Sequence, residues 1–248
     1  MSAPGPATSA FDNSPRARRL PAGEPAPGEP AGPAKDFSRA EALALAVVVT
    51  VAAHAIPGWY IFGRLWTRDV FGVHAIPWGT FHSLLCLLFG LLLAAPTWRR
   101  SGLVLGDIRT HWRRVLPVCG GPVLVAALVY PRLPVRPFAD AGIDMWLISP
   151  LAQSLVFIGY LYGRLDTAFP GLIHRRLPIR RSLAITAAFF ALWHVPGFAN
   201  MPAWYAAFQL FYTGVAYLVP ALSRQWTGSI LYVLAGHMAI NFIAWAAN

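Results

Sequence analysis

Glutamate does not occur in this chain of 248 residues beyond Glu41, and lysine occurs once, at Lys35. Charged residues amount to 12% of the sequence, against about 25% in a soluble domain. A shortage on that scale excludes the charged, water-facing surface of an ordinary soluble protein. Cysteine is limited to Cys86 and Cys119. Both fall in apolar stretches without a spaced framework, so they read as buried, reduced packing residues. Neither an H-x-x-E-H nor an H-E-x-x-H spacing occurs, which removes the local zinc-peptidase signatures.

What is present is apolar. Hydrophobic residues make up 56% of the chain and mean hydropathy is +0.51. The apolar runs are continuous rather than alternating, which favours helices over a barrel. Seven spans follow, at roughly 41–62, 76–96, 115–130, 143–163, 182–198, 204–222 and 228–247. The expected fold class is therefore all-α, a polytopic transmembrane helix bundle whose partner is the lipid bilayer. Residues 1–38 are rich in Pro, Ala and Gly, carry Arg16, Arg18 and Arg19, and have no apolar core. They read as a disordered cytoplasmic tail ahead of a transmembrane domain over 39–248.

The net charge of +10 is nearly all arginine, and no aromatic-basic module accompanies it, so nucleic acid is not the expected partner. The arginines sit in short loops instead. With a cytoplasmic tail, the inner loops hold Arg99, Arg100, Arg109, Arg113 and Arg114, then Arg164, Arg175, Arg176, Arg180 and Arg181, then Arg224. The outer loops hold Arg64, Arg68, Arg132 and Arg136. That bias fits an N-in, C-out arrangement, and an even number of spans would break it. The segment from Gly102 to Arg114 interleaves apolar and basic residues. It reads either as a surface helix with Trp112 at the interface or as a basic loop with one aromatic anchor.

Polar side chains at membrane depth are costly, and they mark functional or helix-gluing positions. Gln153, followed by Ser154, lies near the middle of the fourth span, and His194 lies late in the fifth. His237 and Asn241 are four apart in the seventh and share a helix face. His194 and His237 fall about 18 and 13 Å from the cytoplasmic ends of their spans at ~1.5 Å per residue, so they can converge. His194 could then hold or deprotonate a water, and His237 with Asn241 could donate to an oxyanion. The competing reading is inter-helix hydrogen bonding. It suits one isolated histidine better than two histidines with an i,i+4 asparagine. His54 and His82 would complete a three-histidine zinc site only by bringing scattered residues together, and no cofactor is predicted. Asp140 and Asp144 read as interfacial caps or solvated charges.

These residues carry a resemblance. Phe190 to His194, with Trp193 and Pro196 around it, is similar to the Phe-x-x-x-His element of the CPBP family, the CAAX proteases and bacteriocin-processing enzymes also called Abi. Thr227-Gly228-Ser229-Ile230 leading into His237 and Asn241 resembles that family's final His-x-x-x-Asn element. The likeness spans roughly 95–248 and is most specific from 183 onward. It implies a polytopic membrane protein related to intramembrane endopeptidases. The family's Glu-Glu-x-x-x-Arg-Gly element is absent. Gly159 to Leu165 fixes the register, in which the two glutamates fall on Gln153 and Ser154 and the arginine on Ile158. Glutamine has nearly the shape of glutamate but is no useful proton acceptor. The resemblance therefore implies a protein without glutamate-dependent proteolysis that binds a membrane peptide or lipid-modified client through Gln153, Ser154, His194, His237 and Asn241. Two alternatives stand: an active membrane enzyme using His194, His237 and Asn241, and a small transporter or structural bundle.

Overall fold

The computed structural model describes residues 37–55, 78–133, 142–198 and 201–247; most of the expected tail, with Asp140, lies outside them. Seven helices follow the seven expected spans: α1 Arg39–Ala55, α2 Trp78–Ala94, α3 Ile108–Val129, α4 Asp144–Ala168, α5 Arg181–Trp193, α6 Ala203–Thr227 and α7 Leu231–Ala246. A short antiparallel hairpin, β1 Leu172–His174 and β2 Leu177–Arg180, joins α4 to α5.

The last glutamate of the chain is used at the start of α1. Ser38 N donates to Glu41 Oε2 at 2.8 Å, and Glu41 N donates to Ser38 Oγ at 3.2 Å. This reciprocal box satisfies two orphan amides of the first turn. Helix α3 begins earlier than the apolar pattern indicated, because Asp107 caps it by accepting from Thr110 N at 3.1 Å. It also runs through Pro117 and Pro122.

The α4 segment is the centre of the bundle. In its most apolar stretch 61% of residues are buried, against 22% for α2 and 17% for α3. It packs on α2, α5 and α7, with α1 against its second half. Two stretches, Asp144–Ile148 and Leu155–Leu161, are π-helical and flank an α-helical turn, Ser149–Ser154. Wide turns of this kind recur at functional sites. Gly90 lets α2 approach that region closely: a Cβ there would lie 3.1 Å from both the Ala152 carbonyl and Leu155 Cβ.

The outer faces are apolar. Val48, Val51, Leu92, Leu116, Leu124 and Phe211 are each more than half exposed. Four of the helices, α2, α3 (through Arg132), α4 and α6, are long and apolar enough to cross a bilayer. The chain is an integral membrane protein, and these faces meet lipid.

Two expectations are corrected. Gly102 to Arg114 is neither one surface helix nor a simple loop: its second half is the first turns of α3, and its first half is folded onto the α6–α7 junction. Ile230 N donates to Gly102 O at 3.0 Å, and Asp107 N donates to Thr227 O at 3.2 Å. Arg224 is not a loop charge. It is 8% exposed inside α6, and its Nη2 donates to Arg100 O at 2.6 Å.

Candidate functional site

Gln153, His194, His237 and Asn241 line one cavity of about 210 Å³, with Tyr217 and Phe190 forming its aromatic wall. The four come from α4, the end of α5 and α7, so the convergence is tertiary. Among the described residues, none that lines the cavity carries a carboxylate, an ammonium or a guanidinium.

His194 ends α5. Its Nδ1 lies 2.8 Å from Phe190 O. A carbonyl only accepts, so Nδ1 carries the proton and, in the neutral ring, Nε2 carries the lone pair. The Phe190 ring meets His194 edge-on at 4.7 Å and His237 at 5.7 Å, which ties both imidazoles to one aromatic spacer. His237 is 9% exposed, and its Nδ1 is buried with no hydrogen-bond partner among the described residues. Such a group forfeits its hydration, a cost a bound ligand can recover.

Gln153 donates from Nε2 to Ser149 Oγ at 2.8 Å, while its Oε1 is buried without a partner among the described residues. One polar atom of the amide is thus left for an occupant of the cavity. Asn241 Nδ2 donates to Met145 O at 3.0 Å, in the first π-helical stretch, and so ties α7 to α4. Ser154 is fully buried one position along from Gln153 but does not line the cavity. Ile158, where the family pattern has arginine, is 0% exposed in the apolar core.

Other expected residues lie elsewhere. His54 packs edge-on to Trp193 at 6.4 Å, and His82 Nε2 lies 3.8 Å from Cys86 Sγ. Neither lines the cavity, and no group of three His, Cys, Asp or Glu suited to a metal occurs among the described residues. Asp144 is not a solvated charge. It is 8% exposed and accepts from Thr80 Oγ1 at 3.2 Å.

Several lining residues had escaped notice in the sequence: Ser149, Tyr205, Gln209, Tyr212, Thr213 and Tyr217. On α6 they fall at 205, 209, 212–213 and 217, the repeat of one helix face. That polar stripe within an apolar span was the missed signal. Gln209 Nε2 donates to Tyr205 Oη at 2.6 Å, and Tyr217 Oη donates to Gln153 O at 3.4 Å.

The chain was also compared with models of known protein families. Residues 137–243 match the model described as "Type II CAAX prenyl endopeptidase Rce1-like". That match supports a resemblance of this region to the CPBP/CAAX protease family. The match runs from just before α4 into α7 and so contains Gln153, Ser154, His194, His237 and Asn241, while His54, Thr80, His82 and Cys86 lie outside it. No curated protein and no solved structure matches the chain.

Proposed function

We propose that this CAAX protease-like protein binds an apolar, membrane-embedded client, a membrane peptide or lipid-modified segment, and lacks that family's glutamate-dependent proteolysis. The observation that carries the reading is the presence of two buried polar atoms, Gln153 Oε1 and His237 Nδ1, that are unmatched among the described residues, in a cavity that no described carboxylate lines. Both would hydrogen-bond a ligand carrying a donor and an acceptor, such as a backbone amide. Gln153 occupies the general-base position of the family pattern and cannot take a proton from water.

A second reading rests on His194. With Nδ1 donating to Phe190 O, its Nε2 has the polarity of a base, and His237 with Asn241 would supply oxyanion donors. Reconstituted protein incubated with lipidated and membrane-spanning peptides separates the two. The binding reading predicts photo-crosslinking of peptide at the cavity with no cleavage, and gain of cleavage in a Gln153→Glu, Ser154→Glu variant. Wild-type cleavage that disappears in both His194→Ala and His237→Ala would sink it. The arginine-rich ends of the helices are assigned to the cytoplasm, with the N-terminus inside and the C-terminus outside.

A further inference from the structure

The β1–β2 hairpin is a feature that neither the cavity nor the family match explains. A two-stranded hairpin alone is marginal in water, yet this one turns its bulky aliphatic residues outward. Leu172 is 40% exposed, and Ile173 and Leu177 are each 47% exposed. Between them lies His174-Arg175-Arg176, all exposed. On a helix facing lipid such exposure is ordinary. Here it falls outside the helices, in the connection between α4 and α5.

The arginines of this segment divide into two sets. Arg180 pairs with Asp166 at 2.5 Å, and Arg181 Nε donates to Leu172 O at 3.2 Å, so both fix the hairpin to the bundle. Arg175 and Arg176 have no ion-pair partner among the described residues. The hairpin is held by its root and presents its tip.

Its position is set by α6. Gln225 accepts from Arg180 N at 3.1 Å and donates to Pro178 O at 2.8 Å, while the preceding residue, Arg224, holds Arg100. The hairpin therefore shares one end of the bundle with the segment linking α2 to α3. In that segment Trp98 is 47% exposed, and in the early turns of α3 Trp112 is 51% exposed, with Arg99 and Arg113 over their rings at 5.0 and 5.4 Å. Exposed tryptophans with arginines alongside mark the level of the membrane interface.

We infer that the hairpin is an interfacial anchor: Leu172, Ile173 and Leu177 insert at the headgroup–acyl boundary while Arg175 and Arg176 engage the phosphates of anionic lipids. Insertion removes exposed aliphatic surface from water, and the two unpaired cations complement the charge of an anionic leaflet. Recognition by these arginines is worth roughly fivefold each in local enrichment of anionic over zwitterionic lipid.

The full chain in nanodiscs tests this in two measurements. An Ile173→Cys variant carrying a bimane label, with the unsubstituted chain as labelling background, is placed in phosphatidylcholine and phosphatidylglycerol discs made with lipids brominated high on the acyl chain. The label is expected to be quenched, and more strongly in phosphatidylglycerol. Lipid retained by the protein is then quantified by mass spectrometry from mixed discs. The phosphatidylglycerol enrichment is expected to fall at least several-fold in Arg175→Gln, Arg176→Gln. A label that bromolipid does not quench places the hairpin in water, facing a soluble partner or a second copy, and overturns the inference. Enrichment unchanged in the double variant overturns it equally.

Discussion

The Phe190 ring lies flat on the Tyr217 ring, with centroids 3.5 Å apart and planes 13° from parallel. This stack joins α5 to α6 beneath both imidazoles, since Tyr217 also meets His237 edge-on at 5.4 Å. The two rings set the separation of the polar groups above them.

Tyr217→Ala is therefore expected to destabilise the protein by about 3 kcal/mol, the usual loss for a truncated core aromatic, and to abolish client crosslinking. Tyr217→Phe keeps the stack and removes the long hydrogen bond to Gln153 O, for about 0.5 kcal/mol. Unfolding in detergent monitored by circular dichroism measures both. Equal losses in the two variants would show that the hydroxyl, not the stack, holds the site.

Gly102 has φ +75°, and a Cβ there would lie 2.3 Å from Arg224 Cζ. Gly102→Ala should cost about 1–2 kcal/mol from backbone strain alone, with a further penalty from displacing the guanidinium. In an Arg224→Ala background the steric part vanishes and the strain remains. A double-mutant cycle should thus give a coupling of about 1 kcal/mol or more, and a coupling near zero would contradict the contact.

Gly90→Val is expected to push α4 away beside Gln153, at a cost of about 1–3 kcal/mol. Client crosslinking should fall further than stability alone accounts for, because the Cβ contact falls on Ala152 and Leu155, on either side of the glutamine. Stability and crosslinking measured in the same detergent would decide it. Loss of stability with full crosslinking would separate the helix contact from the site.

The Asp107 carboxyl is held below the usual carboxylate range by the hydrogen bond from Thr110 at the start of α3. Its folded value is the lower one. Its contribution is therefore complete above the ordinary carboxylate pKa and is lost as pH falls through the folded value. Asp107→Asn keeps a capping oxygen without titrating. The variant should show a flatter acid limb in stability against pH than the wild type, measured by thermal unfolding.

Seven apolar spans were legible because each must supply nearly its whole length of hydrocarbon, a demand met residue by residue. His194, His237 and Asn241 were legible because polar groups are conspicuous in such runs. The start of α3 was not, since Asp107 and the arginines after it look like loop residues until the cap is seen. Arg224 misled for the same reason: its charge reads as exposed, whereas its Nη2 hydrogen-bonds a carbonyl 124 residues away. The hairpin carried no periodicity long enough to register.

The sequence by itself thus determined a helical membrane protein and the loss of every glutamate beyond the capping box of α1. It also placed glutamine at the position where the family resemblance expects a carboxylate. Only the tertiary structure decided that Gln153 faces His194 and His237 across one cavity while Ser154 turns aside, and that Tyr217 braces them. Composition and periodicity report how each helix meets lipid. Which polar faces meet each other depends on the rotation and spacing of packed helices, set here by contacts such as Gly90 on α4 and Phe190 on Tyr217.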